Sequence, residues 1–377
     1  MMENNAVGIY VHIPFCLKKC LYCDFCSFPD ISRERIERYL AALTTEIRNA
    51  PDLSPGQHVV SVFFGGGTPS LLLPRDIFLI LSELREKFPV SEGAEITLEA
   101  NPATEDLEKL KAFYALGINR LSIGVQSFQD GELRFLGRLH TASEAISFFH
   151  SAREAGFSNV NIDLIYAIPG QTADTLSQTV DTVLSLSPEH VSAYGLILEE
   201  GTPLYEKRES IDWQSDDAEA DLYDMVSRKL IQNGYEQYEI SNYAKPGFRS
   251  VHNMGYWESR LYLGFGVSAT SLFGGKRYTN TRDIDRYVLS PLESVDEVEE
   301  MTEENRLYDY VMMALRTSDG IEEKRFFDFF GYSFYESKKE KIDRFIRLGY
   351  MKYDGTRTRF TRNGFYVSSA LLIELLS

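Results

Sequence analysis

"HIPFCLKKCLYCDFCSF", His12 to Phe28, contains all four cysteines of a 377-residue chain. Cys16, Cys20 and Cys23 follow the spacing C-x3-C-x2-C, and Cys26 comes after two more residues. The stretch leaves a β-branched run, so the thiols sit in the loop after a first strand. Disulfides are a poor reason for such clustering in a reducing compartment. A structural zinc site draws on separated pairs, and no second pair exists. A catalytic thiol needs one cysteine beside a base rather than four in a loop. Iron-sulfur ligation remains, because three thiolates on one tight loop hold three corners of a cubane and leave its fourth iron open. Cys26 is a candidate for that fourth corner, which its offset from Cys23 does not favour.

Outward from this loop, short β-branched runs alternate with amphipathic patterns to about residue 235. Strands are expected at 8–13, 59–64, 95–100, 120–125, 160–166 and 190–198. Arg33 to Asn49 reads as a helix whose apolar face is Ile36, Tyr39, Leu40, Leu43 and Ile47. Six βα units predict a parallel sheet, either doubly wound or a partial barrel, and periodicity does not separate the two. Glycines, cysteines and polar residues follow nearly every strand at once, which is where barrels carry their sites. The alternation stops near Gly234, so residues 236–295 read as a linking region. Residues 296–377 read as three helices, a hairpin at "MKYDGTRTRFT" and a final helix, a winged-helix-like arrangement.

The formal charge of -17 disfavours nucleic acid and anionic membranes as partners. Lys324 to Arg362 carries eleven Lys/Arg against five Asp/Glu, an excess better explained by a solvated helical surface. The sequence shows neither a secretory signal nor a run of the ~18 apolar residues that a membrane span needs. A cytoplasmic protein without a stable membrane anchor is expected.

The other strand ends carry chemistry. "VVSVFFGGGTPSLL" places Gly65, Gly66, Gly67 and Thr68 after the second strand. Such a turn brings backbone close to a ligand, but it lacks the Lys-Ser/Thr ending of a phosphate loop. Glu99 in "EITLEANP", Gln126 in "RLSIGVQSF" and Asp163 in "NVNIDLIYAIPGQT" end or ride the next strands. Each alone is an ordinary polar strand terminus. Together they converge on one face, where carboxylates suit a cationic cofactor.

"YVHIPFCLKKCLYC" resembles the cluster loop of radical S-adenosylmethionine (SAM) proteins, and the glycine turn resembles that family's SAM-binding motif. The resemblance spans nearly the whole chain and is strongest to the subgroup holding oxygen-independent coproporphyrinogen III dehydrogenase and a haem-chaperone branch. It implies a partial (β/α)6 TIM-like barrel, with the mostly helical module after it. It also implies a [4Fe-4S] cluster on Cys16, Cys20 and Cys23, with SAM contacts from Tyr10, Tyr22, Gly66, Gly67, Thr68 and Glu99. Gln126, Arg138 in "FLGRLH" and Asp163 match further cofactor positions.

Two departures separate the chain from the dehydrogenase. That enzyme's motif resembles C-x3-C-x2-C-x-C, whereas Asp24 and Phe25 intervene here, and only fifteen residues precede Cys16 where it has a long extension that encloses substrate. "HNMGYW" resembles the HNxxYW signature of the haem-chaperone branch, which makes His252, Tyr256 and Trp257 candidate haem contacts: an imidazole for iron and two rings for a porphyrin face. Without the resemblance, a core histidine among packed aromatics is the plainer reading. The leading expectation is a haem chaperone that passes haem to an acceptor protein of unknown identity. The second is the dehydrogenase, and the third a binding module with zinc or an inert cluster. Whether the chain is a catalyst, and whether it forms a homodimer, stays open at this stage.

Overall fold

Six strands follow one another both in sequence and in space: β1 (Ala6–Ile13), β2 (His58–Gly66), β3 (Val90–Ala100), β4 (Arg120–Gln126), β5 (Val160–Tyr166) and β6 (His190–Gly195). Each lies parallel to its predecessor. Every crossover therefore steps the same way, and right-handed crossovers then place all the connecting helices on one face. A doubly wound sheet would reverse direction midway. The strand order thus decides the point that periodicity left open, and the core is a partial barrel. The computed structural model describes residues 5–29, 31–102 and 106–377.

Residues expected to link the barrel to the last module extend its sheet instead. β7 (Glu236–Gln237) and β8 (Asn242–Ala244) add to β6, and β9 (Leu261–Phe265) pairs parallel with the free side of β1. β10 (Thr270–Phe273), β11 (Lys276–Asn280) and β12 (Val295–Glu300) continue antiparallel from β9, giving twelve strands in one open sheet. β7 and β8 are two and three residues long, and β9 to β11 follow one another without helices between them. Neither pattern produces the βα rhythm that sequence reading relies on.

Side-chain parity explains how the barrel hosts a site. Ile9, Val11, Val62, Phe64, Ile96, Leu98, Leu121, Ile123, Ile162 and Leu164 all belong to the main apolar core. They point outward, under helices such as Arg33–Asn49, which buries Ile36, Tyr39, Leu40, Leu43 and Ile47 against them. The alternate residues point into the barrel: Tyr10, Ser61, Glu95, Thr97, Glu99, Arg120, Ser122, Asn161 and Asp163. The interior is thus polar, and its strand ends are free to bind. The last module has its own core around Val311, Leu315, Phe326, Ile342 and Phe345. It carries the expected hairpin, β14 (Met351–Tyr353) with β15 (Arg357–Phe360), widened by β13 (Ile321–Glu322).

Glu46 ties the helix Arg33–Asn49 to the added strands. It accepts from Gly266 N at 2.8 Å, Asn280 Nδ2 at 2.6 Å and the Tyr287 hydroxyl at 2.5 Å. Burial outweighs these donors and pushes its pKa up to about 7. Folded protein then holds a proton that unfolded chain releases near pH 4.5, so this contribution to stability falls as pH rises from 5 to 7, by at most about 1.4 kcal/mol per unit. Glu46→Gln is expected to flatten that slope, which denaturation midpoints measured between pH 5 and 8 will show.

Candidate functional site

The cysteine loop is clasped at its base. Cys16 N donates to Phe28 O at 3.1 Å and Phe28 N to Pro14 O at 2.7 Å. His12 sits beneath, with Nε2 2.8 Å from Cys26 O and Nδ1 3.0 Å from the Tyr10 hydroxyl. Burial lowers its pKa to about 4, so it serves as a neutral bracket. The loop's middle is fastened by Leu21 N to Leu136 O at 3.1 Å and Leu204 N to Leu21 O at 2.9 Å. As a result Cys16, Cys20 and Cys23 line one cavity at the carboxyl ends of the strands. Cys26 turns away into the main core, and its Sγ lies 3.5 Å from Arg282 O. It is therefore not placed as a fourth ligand.

The cavity, open to solvent, brings together Tyr22, Gly66, Gly67, Thr68, Glu99, Gln126, Arg138 and Asp163 with the three thiols. Tyr10 does not line it. Its ring stacks on Phe63 at 6.2 Å inside the barrel, so it supports His12 from below. Sequence reading missed Lys18, Lys19, Asn101 and Ser122, which also line the cavity. The two lysines lay in the quoted motif, while Ser122 was signalled only by its parity with Gly124 and Gln126.

The glycines owe their identity to the protein itself. A Cβ on Gly66, whose φ is +115°, would stand 2.6 Å from the His12 ring, and one on Gly67 would stand 2.5 Å from Phe15 O. Their N–H groups are already spent, Gly66 on Glu99 Oε2 at 3.1 Å and Gly67 on Ile13 O at 2.9 Å. The expectation that these amides greet a ligand is corrected accordingly: the turn packs against the cluster loop and orients Glu99. Gln126 ends β4 at a register shift with φ of +74°, a left-handed conformation that aims its side chain into the cavity.

Burial, reinforced by Asp163, pushes the Glu99 carboxyl up to about 8. Asp163 is also raised by burial, against bonds from Asn161 Nδ2 at 2.7 Å and Ser122 Oγ at 3.4 Å. Two buried acids facing one space favour a cationic ligand, which would draw Glu99 back toward ionisation. Arg138 lies on the same wall, with Nη1 3.4 Å from Cys20 Sγ, Nη2 bonded to Gly124 O, and a buried Nε without a partner.

Among the described residues no three His, Cys, Asp or Glu side chains close on a point as ligands of a single ion would. The three free thiols line the cavity separately, which fits a cluster because each thiolate takes its own iron. Together with the paired acids, the donor set fits a [4Fe-4S] cluster and a sulfonium-bearing amino acid.

The candidate haem residues lie elsewhere. His252 and Tyr256 belong to the helix Val251–Trp257, which closes the barrel interior from the other end. His252 is buried, with Nδ1 3.0 Å from Ser61 Oγ, Nε2 3.0 Å from the Tyr256 hydroxyl, and its ring stacked on Phe63 at 5.0 Å. Burial lowers its pKa to about 3. Both ring nitrogens are engaged, so the reading of His252 as an open iron ligand does not hold in this conformation. The plainer alternative, a core histidine among packed aromatics, is what the structure displays.

Residues 10–183 match the Radical SAM superfamily and residues 301–367 the HemN C-terminal domain. Over 330 residues the chain is 36% identical to the haem chaperone HemW of Bacillus subtilis (strain 168), covering 86% of this chain and 87% of that one. The chain belongs to the HemW family of radical SAM proteins. The mitochondrial radical S-adenosyl methionine domain-containing protein 1 of Mus musculus is 34% identical over 400 residues, covering 99% of this chain and 88% of that protein. The solved structure of Escherichia coli coproporphyrinogen III oxidase HemN, a radical SAM enzyme, superposes with a TM-score of 0.85 at 25% identity, over 98% of this chain and 90% of that one.

In a HemW-family protein built this way, Cys26→Ser is expected to keep the iron and sulfide content of the unsubstituted chain after anaerobic reconstitution. Serine at Cys16, Cys20 or Cys23 is expected to reduce both to near background. Iron and acid-labile sulfide analysis, read beside the visible absorbance, checks the contrast.

Proposed function

We propose that this chain is a haem chaperone: it binds haem, carries a SAM-accessible [4Fe-4S] cluster, and transfers haem to an acceptor protein. One observation carries the choice over porphyrinogen decarboxylation. Relatives named haem chaperone align along nearly the entire chain, at 36% identity over 86% of it and 32% over all of it, against 25% for the dehydrogenase-type neighbour. No helix among the described residues is long and apolar enough to cross a membrane.

Cys16, Cys20 and Cys23 would hold three irons of the cluster, and with Cys26 packed in the core the fourth iron would be left for SAM. Such a cluster, when reduced, supplies the electron that breaks the sulfonium C–S bond of SAM. The chain's own groups do the positioning. Glu99, fixed by Gly66 N, and Asp163, fixed by Asn161, set two carboxylates against the cofactor's positive charge. Arg138 holds the Cys20 side of the site to β4 through the Gly124 carbonyl. Removing one carboxylate while preserving its shape, as in Glu99→Gln, is expected to weaken SAM binding to the cluster-loaded protein roughly tenfold or more. Equilibrium binding of labelled SAM measures this.

An anaerobic reaction with dithionite, SAM and coproporphyrinogen III tests the function. The chaperone reading expects no protoporphyrinogen IX, and expects haem added to the protein to be retained and then passed to an apo-haemoprotein. Turnover to protoporphyrinogen IX would instead establish the dehydrogenase.

A further inference from the structure

Four side chains form an unbroken hydrogen-bonded line that runs through the barrel to the cluster cavity. Asn161 on β5 donates from Nδ2 to Asp163 Oδ1 at 2.7 Å and to Ser122 Oγ at 2.8 Å. His190, opposite Asn161 on β6, has Nδ1 2.6 Å from Asn161 Oδ1, and its Nε2 lies 2.7 Å from the Tyr238 hydroxyl. Asn161, His190 and Tyr238 are buried, and none of them lines the cavity that Asp163 faces.

The proton positions follow from the donors available. Asn161 directs its Nδ2 hydrogens to Asp163 and Ser122, so its Oδ1 only accepts. Nδ1 of His190 therefore carries a proton, and Ser192 Oγ adds a second donor to the same oxygen at 3.2 Å. Burial holds the His190 pKa well below the usual histidine range, which keeps the ring neutral and leaves Nε2 bare to accept from Tyr238. Every donor in the line thus points toward Asp163, and one tautomer satisfies it. The far end is anchored on the C-terminal module, where Ser318 N donates to Tyr238 O at 2.9 Å.

Asp163 depends on this line. Its bond from Asn161 at 2.7 Å is much shorter than the one from Ser122 Oγ at 3.4 Å, so the Asn161 amide does most to aim the carboxylate. Without His190 on its oxygen, that amide would lose its shortest contact and could swing about its side-chain torsions. We propose that His190, held between Tyr238 and Asn161, is a positioning residue for cofactor binding: it fixes Asn161, which in turn fixes Asp163 toward the cavity. The proposal rests on the reading of that cavity as the SAM site. His190 itself lines no part of it and acts through the side chain between.

Asparagine and leucine are nearly the same size, and of the two only asparagine can place an N–H where His190 Nδ1 stands. In cluster-loaded protein, His190→Leu is expected to weaken SAM binding roughly tenfold, and His190→Asn to recover most of that loss. A histidine that merely filled apolar space would rank the two the other way. Nitrogen NMR of histidine-labelled protein, with the His190 signals identified by their absence from His190→Asn, supplies a readout independent of SAM. Near pH 7 it should show a neutral ring protonated on Nδ1, and Tyr238→Phe should move the Nε2 signal toward that of a nitrogen without a hydrogen bond. Equal SAM affinity in the two His190 variants, or a proton found on Nε2, would overturn the proposal and leave the SAM reading intact. Absence of SAM binding by the unsubstituted, cluster-loaded protein would overturn both.

Discussion

The backbone of residues 13–15 presses directly on that of residues 66–68, Ile13 accepting from Gly67 and Phe15 from Thr68, with no room for a side chain between them. Through this contact the loop leaving the first strand and the loop leaving the second become one rigid piece. Three consequences follow. The cysteines face a shared cavity, Gly66 delivers its amide to Glu99, and His12 is trapped where it can grip the far end of the cysteine loop. The site is thus preorganised by backbone packing first and by side chains second.

Electrostatics works in the same direction. Among the described residues the barrel interior gathers Glu95, Glu99 and Asp163 with one fully buried cation, Arg120, whose Nε lies 3.9 Å from Glu95 Oε2. Burial disfavours this much negative charge, and the raised carboxyl pKa values of Glu99 and Asp163 are its physical expression. A cofactor with positive charge would relieve that cost, so the interior is electrostatically complementary to such a ligand.

Much of this was legible beforehand, for identifiable reasons. Cysteine spacing is a covalent property of the sequence, and strand-helix alternation survives because each outward residue must meet a helix. Glu99, Gln126 and Asp163 were found because strand ends in barrels expose what they carry. Other features had no one-dimensional signal. The direction in which Cys26 points depends on Arg282, 256 residues away. The engagement of His252 depends on Ser61, 191 residues earlier, so a motif read from neighbouring letters suggested an open ligand where tertiary packing made a closed one. The short strands between residues 236 and 300 escaped because neither periodicity nor length distinguishes them from loop.

The parallel pairing of β1 with β9 joins Val7 to Leu261. A ribosome adding 5–20 residues per second needs roughly 10–50 s to pass from one to the other. Until Leu261 is made, β1 can pair with β2 on one side and has no strand on the other. Metal loading during synthesis would therefore meet a half-supported scaffold, and the finished barrel is the species suited to receive it.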